Sequence, residues 1–378
     1  MKSKRSSLKL IAILFLVTLV LTGCGSPGHW WVVTSSSDNT ARVWDAITGK
    51  LITKLDGHTG PVLSATFSPD GKWIVTTSTD KTARILDAAT GKPILVLSGH
   101  AASVLSAVFS SDGKWVLTRG ADFTARVWDA SNGKQIMVLG TEFIEEDAQV
   151  DAATFSPDNK FVLTASVHEG AVRVWDVATG QKIAELQPLP AGNTWFTNAS
   201  YSPDGRWVAT ASGWSGYESQ DFTPRIWEPA TGKVIAELKG NTDEIHSTIF
   251  SPDGKWVVTA SNDKTAKVWE AATGKLIMEL DHTGTVYTAE FSPDGKWIVT
   301  ASADGTARIW DASTGKLLAE LKLKDIVLSA HFSPDGKYVV TASGNTASVW
   351  DAATGKLVAE LDGHTKVVNS AVFSPEQK

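Results

Sequence analysis

Residues 291–322 read FSPDGKWIVTASADGTARIWDASTGKLLAELK, and related copies of this segment fill most of the chain. Most copies join a Ser-Pro-Asp-Gly turn to a β-branched run, and then a Trp-Asp or related pair to a Thr-Gly-Lys turn. The pairs begin at Trp44, Leu86, Trp128, Trp175, Trp227, Trp269, Trp310 and Trp350. Successive pairs are 42, 42, 47, 52, 42, 41 and 40 residues apart. The chain is therefore built from eight copies of one unit.

Each unit has the composition of four short strands. In the second unit, β-branched and aromatic residues fill residues 62–67, 73–77, 83–86 and 93–97, as strand propensity expects. The turn Ser68-Pro69-Asp70-Gly71 combines a Pro that fixes φ with a Gly that accepts positive φ. Four strands in a period of ~40–45 residues indicate a β-propeller. We therefore predict an all-β, eight-bladed β-propeller of four-stranded antiparallel blades, numbered 1 to 8 in the order of the pairs.

The two ends of the repeat array complement each other. The first unit starts at its second strand, with residues 29–34, and the last stops after a first strand, residues 367–373. Together they supply one complete blade, so blade 1 is predicted to be a composite of N- and C-terminal strands. Closure of this kind removes free strand edges. Residues 30–378 are accordingly predicted to form a single propeller.

The Trp-Asp pairs, their period and the terminal closure resemble the WD-repeat family over nearly all of the mature length. In that family a His joins a strand Ser or Thr, a turn Asp and the Trp in a hydrogen-bonded tetrad. For blade 7 the resemblance implies His282, Ser302, Asp304 and Trp310. A Ser, a His and an Asp together also suggest a hydrolase, but the set recurs in several blades, which catalysis does not require. We therefore expect a non-catalytic platform without catalytic residues, cofactor or metal.

The N-terminus has the pattern of an export signal. Four basic residues among the first nine precede an apolar run from Leu10 to Leu21, which is shorter than the ~20 residues of a membrane span. The run ends in Leu21-Thr22-Gly23-Cys24, which resembles the lipobox of bacterial lipoproteins. Residues 1–23 are thus predicted to be a removed signal peptide, Cys24 the lipidated residue and residues 24–29 a short tether. The alternative is an ordinary signal peptide or an anchor helix with a chance cysteine.

Charge and cysteine content narrow the function further. Cys24 is the single cysteine, so no disulfide is expected. Without residues 1–23 the chain has 31 basic and 41 acidic residues, a balance that repels nucleic acid and anionic lipids. The lipid anchor rather than surface charge would then hold the protein at the cell membrane or outer membrane, on the periplasmic or extracellular side.

Three stretches depart from the repeat: residues 140–149, 187–196 and 213–220. They lengthen connections of blades 4 and 5 that share the rim called top in the family. Thirteen of the 16 tryptophans have a repeat position, and two of the other three, Trp195 and Trp214, lie in these stretches. The candidate partner-binding residues are Phe143, Glu145, Glu146, Trp195, Phe196, Trp214, Tyr217 and Phe222, with Phe123 in the equivalent turn of blade 3.

Such aromatics are typical of protein interfaces and of carbohydrate sites. We expect a protein partner in the cell envelope, with a glycan as the alternative ligand. The rings could also be buried by the loops themselves. An enzyme using the central channel is a further alternative, but only Glu290 and His331 stand out in first strands, and they suit an ion pair better than a ligand site. Turns such as Thr273-Gly274-Lys275 are similar to those of quinone-dependent propellers but lack the Trp that follows there.

Overall fold

The structure, a computed structural model, describes residues 30–140, 150–166, 170–187, 196–213 and 221–375. It contains eight four-stranded sheets, and within each sheet neighbouring strands are antiparallel. Successive sheets contact one another in order through their first or second strands, and β32, the last described strand, contacts both the eighth and the second sheet. The sheets therefore form a closed ring, which confirms the predicted eight-bladed propeller.

Blades 1 to 4 use the following strands. Blade 1 has β1 (Trp31–Ser36), β2 (Ala41–Asp45), β3 (Leu51–Leu55) and β32 (Val368–Phe373). Blade 2 has β4 (Val62–Phe67), β5 (Trp73–Ser78), β6 (Thr82–Asp87) and β7 (Pro93–Ser98). Blade 3 has β8 (Val104–Phe109), β9 (Trp115–Gly120), β10 (Thr124–Asp129) and β11 (Gln135–Gly140). Blade 4 has β12 (Ala152–Phe155), β13 (Phe161–Ser166), β14 (Ala171–Asp176) and β15 (Lys182–Leu186).

Blades 5 to 8 continue the same order. Blade 5 has β16 (Phe196–Tyr201), β17 (Val208–Ser212), β18 (Arg225–Glu228) and β19 (Lys233–Glu237). Blade 6 has β20 (Ile245–Phe250), β21 (Trp256–Ser261), β22 (Thr265–Glu270) and β23 (Leu276–Asp281). Blade 7 has β24 (Val286–Phe291), β25 (Trp297–Ser302), β26 (Thr306–Asp311) and β27 (Leu317–Lys322). Blade 8 has β28 (Val327–Phe332), β29 (Tyr338–Ser343), β30 (Thr346–Asp351) and β31 (Leu357–Leu361).

Strand β32 closes the ring by completing blade 1, as predicted. The sheet order is β3-β2-β1-β32, and Val33 lies opposite Val372 in the register. At the bottom end, the Ser374 amide donates to the Trp31 carbonyl at 2.7 Å, and the Trp31 amide donates to Ser374 Oγ at 3.1 Å. These contacts bind the last described strand to the first.

The core lies between blades rather than inside each one. A typical cluster joins Val299 and Leu321 of blade 7 to Val339 and Trp350 of blade 8. Since apolar burial is the main favourable term in folding, each blade is stabilised mainly by its neighbours. Trp30, which had no repeat position, is buried in the cluster between blades 8 and 1.

The Ser-Pro-Asp-Gly turns form the bottom rim. In blade 2, Ser68 Oγ donates to Asp70 Oδ1 at 2.7 Å and accepts from the Trp73 amide at 2.9 Å. The Pro69 ring lies against Gly113 of blade 3, where an added Cβ would sit 3.8 Å from Pro69 Cδ. Successive turns are thus in contact around this rim.

Candidate functional site

The tetrad of blade 7 is a buried hydrogen-bond network on the top rim. His282 lies in the connection from β23 to β24, and its Nδ1 is 2.9 Å from Asp304 Oδ2 in the turn between β25 and β26. His282 Nε2 is 2.7 Å from Thr300 Oγ1, to which Trp310 Nε1 donates at 2.9 Å. The network therefore links the β23–β24 connection and the β25–β26 turn to the two middle strands of the blade, β25 and β26.

The hydroxyl of this network belongs to Thr300, which corrects the assignment of Ser302. Ser302 is two residues closer to the turn, so its Oγ reaches turn atoms instead of Trp310. It accepts from the Asp304 amide at 3.1 Å and donates to the Gly284 carbonyl at 3.1 Å. The sequence contains a signal for this threonine that the prediction did not use. In several units a Thr precedes the Trp by ten residues, as Thr300 precedes Trp310.

The same network recurs around the ring with parts missing. His100 in blade 3 and His364 in blade 1 make the full set of contacts. Blade 2 keeps His58, Thr76 and Asp80 but has Leu86 in place of the Trp. In blades 4, 5, 6 and 8 the bond from the Trp indole to a Thr is retained. Because the same four positions recur around the ring and tolerate substitution at each position, we interpret the network as structural.

Electrostatics in the tetrads favour a neutral imidazole beside a carboxylate. Burial lowers the pKa of His58, His282 and His364, although the adjacent Asp in each case acts in the opposite direction. Burial alone would raise the pKa of Asp80, but hydrogen bonds from Thr82, His58 and the Thr59 amide outweigh it and lower that pKa to about 2. The pair is thus held as neutral His and ionised Asp near pH 7.

Glu290 and His331 form one buried contact on the inner strands. Glu290 Oε2 is 3.0 Å from His331 Nδ1, and Glu290 Oε1 accepts from the Phe332 amide at 2.7 Å. Because β28 is an inner edge strand, the carboxylate satisfies an amide that has no partner strand on that side. The pair joins blade 7 to blade 8 near the axis. In the ranges that the structure describes, no group of three or more His, Cys, Asp or Glu could hold a metal ion.

Six of the predicted partner-binding residues lie outside the described residues: Phe143, Glu145, Glu146, Trp195, Trp214 and Tyr217. Phe196 is fully buried, and its ring centroid lies 6.3 Å from that of Trp227, so it cannot act as an exposed anchor. This corrects the interpretation of Phe196, which occupies the inward-facing position held by Val286 in blade 7. Phe222 is half-buried against Gly213, whereas Phe123 is 37% exposed.

The ends of the irregular stretches share the top rim. The contact of His282 with Asp304 shows that connections into a first strand and turns after a second strand meet on one rim. Residues 141–149 lead into blade 4, residues 188–195 lead into blade 5, and residues 214–220 follow β17 of blade 5. Each of the three segments thus leads into a strand of blade 4 or blade 5, whose first strands β12 and β16 pack side by side.

An outer groove beside blade 5 has a volume of ≈ 560 Å³, and its lining residues are Arg225, Val234, Ile235, Ala236, Glu237, Lys239 and Thr273. Arg225 is already paired, since its Nη1 lies 2.8 Å from an Asp221 oxygen and its Nε 3.3 Å from Glu237 Oε1. The Arg225 guanidinium is thus engaged by carboxylates of its own blade. No helix in the described ranges has the length and hydropathy needed to cross a bilayer.

The repeat geometry agrees with a family model for the WD domain, G-beta repeat, which matches residues 21–45, 49–87, 91–129, 135–176, 232–270, 274–311 and 315–351. The chain belongs to this family. The matches omit residues 177–231, which contain the first three strands of blade 5 and two of the irregular stretches. Proteins of this repeat class are typically non-catalytic scaffolds that bind other proteins.

Similar proteins share segments of the ring. The nuclear distribution protein nudF of Aspergillus niger is 27% identical over 28% of this chain and 22% of its own length. A guanine nucleotide-binding protein subunit beta of Zea mays is 28% identical over 31% of this chain and 30% of its own. An uncharacterized WD repeat-containing protein of Synechocystis is 27% identical over 30% and 29%, respectively. Each match thus covers under a third of the relative.

Among solved structures, the computationally designed Ika8 protein superposes with a TM-score of 0.70. It is 26% identical in sequence, and the superposition covers 83% of this chain and 90% of that one. The likeness extends over most of the ring and supports the propeller architecture.

Proposed function

We propose that this protein is a non-catalytic platform that binds a protein partner through the top rim of blades 4 and 5. One observation carries the proposal: the three interruptions of an otherwise regular repeat each lead into a strand of blade 4 or blade 5, and these two blades are adjacent in the ring. Elsewhere the His, Asp and Thr side chains of that rim are used in structural networks. Departures from a structural repeat are where a specific function is expected, because loops on a rigid scaffold carry binding residues.

Membrane anchoring is the second part of the proposal. Residues 1–23 would be removed and Cys24 would carry the lipid, with more than one acyl chain for durable attachment. Residues 24–29 reach at most ~20 Å, and the Trp31 amide bonds to Ser374 on the bottom rim. The bottom rim would therefore lie near the membrane, and the top rim would point away from it.

Site-specific photocrosslinking in cells tests the binding surface. A photoreactive amino acid at position 214 is compared with one at position 305, in the top turn of blade 7. A discrete protein adduct from position 214 alone supports the proposal. Equal adducts from both positions, or none with the protein folded and anchored, contradict it. In the latter case, saccharide-dependent fluorescence of Trp195 and Trp214 would favour a glycan ligand.

The anchor is tested separately with a Cys24→Ser variant. We expect the parent to incorporate labelled palmitate and to sediment with membranes, and the variant to do neither. A variant that remains membrane-bound would indicate an uncleaved anchor helix instead. Because the crosslinking compares two positions in the same anchored protein, failure of one half of the proposal is distinguishable from failure of the other.

A further inference from the structure

In four consecutive blades, 4 to 7, a basic residue on the third strand is neutralised by a carboxylate on the fourth strand. In blade 4, Arg173 Nε lies 3.1 Å from Glu185 Oε2. In blade 7, Arg308 Nη2 lies 3.1 Å from Glu320 Oε2. The same pairing joins Arg225 to Glu237 in blade 5 at 3.3 Å and Lys267 to Glu279 in blade 6 at 3.4 Å. In each case the two residues are direct neighbours in the strand register.

Blade 2 breaks this rule at Arg84. Its register neighbour is Val96, so the carboxylate is missing. Leu86 replaces the Trp of the pair, so the indole on which Arg42 lies in blade 1, 5.8 Å from the ring centroid, is missing as well. Among the described residues nothing forms a hydrogen bond or an ion pair with the Arg84 guanidinium, and its buried Nε has no acceptor.

Blade 3 provides an internal comparison. Arg126 also lies opposite a valine, Val138. There, however, Arg126 Nη1 donates to Gln135 Oε1 at 2.8 Å, and its Nη2 lies 3.4 Å from Asp122 Oδ2. The loss of the fourth-strand carboxylate is thus compensated in blade 3 and not in blade 2.

The outer strand beside Arg84 is apolar and exposed. Strand β7 is the outer edge of its sheet, and Ile94 and Val96 on it are 42% and 46% exposed. On the adjacent blade, Ile136 and Val138 are 39% and 46% exposed. The six other blades carry a charge at the Val96 position: Lys54, Glu185, Glu237, Glu279, Glu320 and Glu360. Charges on edge strands discourage pairing with other chains, and blades 2 and 3 lack them.

We propose that the outer edge of blade 2 binds an extended, aliphatic segment of a partner protein whose carboxylate pairs with Arg84. The four paired blades show the chemistry that this position accepts, namely a carboxylate at 3.1–3.4 Å from the cation. The free N–H and C=O groups of β7 suit an added strand, and Ile94 and Val96 offer apolar contacts to its side chains. A carboxylate bound to a guanidinium is a strong, geometrically selective hydrogen-bond pair. This surface is separate from the top rim of blades 4 and 5.

A peptide with the sequence of residues 315–323 serves as the probe, because its natural strand carries the Glu320 that pairs with Arg308. Both peptide ends are blocked, one version has Glu and the other Gln at position 320, and binding is followed by fluorescence anisotropy. We expect the Glu peptide to bind about tenfold more tightly than the Gln peptide, since a charge-assisted bond is lost in the latter. In Arg84→Gln the two peptides should bind alike.

The Val96→Glu variant tests whether a carboxylate supplied by β7 itself competes with the peptide for Arg84. It supplies the carboxylate that four other blades already have, so it should neutralise Arg84 and abolish the preference for the Glu peptide. Val138→Glu is the matched control, because Arg126 is already paired, and it should keep the preference. Circular dichroism melting checks that each variant is folded.

Two results would overturn the proposal. The first is a failure of the predicted selectivity. It would be seen as equal binding of the Glu and Gln peptides to the parent, or as a preference for the Glu peptide that survives in Val96→Glu. The other is concentration-dependent dimerisation of the parent in sedimentation velocity that Val96→Glu abolishes. That result would assign the edge of blade 2 to a second copy of this chain.

Discussion

Ser111 of blade 3 and Asn159 of blade 4 exchange two hydrogen bonds across the bottom rim. The Ser111 amide donates to Asn159 Oδ1 at 2.9 Å, and Asn159 Nδ2 donates to Ser111 Oγ at 2.8 Å. Elsewhere these two positions hold a Pro and a Gly in contact, as Pro69 and Gly113 do. The two blades therefore depart from the repeat together, and a polar contact replaces an apolar one.

A double-mutant cycle tests whether this pair is a coupled unit. Ser111→Pro alone removes the donating amide and leaves Asn159 without its partner, at an expected cost of about 1 kcal/mol in free energy of unfolding. Adding Asn159→Gly restores the contact used in other blades and relieves the positive φ of 59° at this residue. We expect the double variant to recover that loss in urea unfolding. Strictly additive effects would show that the two positions are independent.

Replacing the tetrad hydroxyl should be more damaging than replacing its neighbour. Thr300→Val leaves the Trp310 indole N–H and His282 Nε2 without a partner, so we expect a loss of about 2–3 kcal/mol. Ser302→Ala removes bonds within the turn and should cost about 1 kcal/mol. Urea unfolding of both variants in parallel measures the difference. A larger effect at Ser302 would restore the original assignment.

Stability should fall in mild acid because of the tetrad histidines. Burial lowers the pKa of His282 in the folded state, so below about pH 6.5 the unfolded chain binds more protons. The stabilisation is therefore complete above this pH and lost as the pH falls through the folded pKa. We expect the urea midpoint to decrease from pH 7 to pH 5.

The control for this pH effect is His282→Asn, since Asn241 occupies the same place in blade 6, with its Oδ1 3.5 Å from Thr259 Oγ1. The variant should have a shallower pH dependence than the parent. An unchanged dependence would assign the effect to other groups. A second decline is expected below about pH 3.9, where the Asp80 carboxylate with its pKa of about 2 ceases to stabilise the fold.

Removing one partner of the buried Glu290–His331 pair should lower the free energy of unfolding, whereas replacing both partners should change it little. Glu290→Val or His331→Val alone leaves one polar group buried without its partner, and each should cost about 3 kcal/mol. The double variant has the valine that β8 carries at this position as Val108, so its stability should be near that of the parent. Thermal and urea unfolding measure the cycle. A double variant as unstable as the sum of the singles would contradict this account.

Removal of residues 366–378 should open the ring, because it deletes β32 and exposes an edge of β1. We expect aggregation in light scattering and a lower melting temperature. Deletion of residues 376–378 alone leaves β32 intact and should behave as the parent does. A fully monomeric, heat-resistant product of the longer deletion would mean that β32 is dispensable for closure.

The repeat period sufficed to predict the blade number and the composite blade, because each unit encodes the same four strands and the two ends complement each other. The repeat period was less informative about which of two similar side chains on one strand face belongs to the tetrad. Thr300 and Ser302 both carry hydroxyls on that face, and only the register relative to Trp310 separates them. Spacing from the tryptophan would have identified Thr300.

Phe196 was misread for a different reason. The long irregular segment before it hides where the strand begins, and an aromatic residue beside such a segment has the pattern of a surface anchor. Counting back from the following turn resolves the register, since Phe196 precedes Ser202 by six residues, as Val286 precedes Ser292. The environment of Arg84 was missed because its distinguishing features, Leu86 and Val96, emerge only when the unit is compared with the other copies at the register positions that the sheet defines.

The position of β1 has a mechanical consequence. This strand is not at an edge: it lies between β2 and β32, with hydrogen-bonded ladders on both sides. A pulling force that enters the chain at residue 30 acts along the strand, so it must shear two ladders at the same time rather than peel one bond after another. The end of the chain that would be tethered is therefore also the end from which the ring best resists being unravelled.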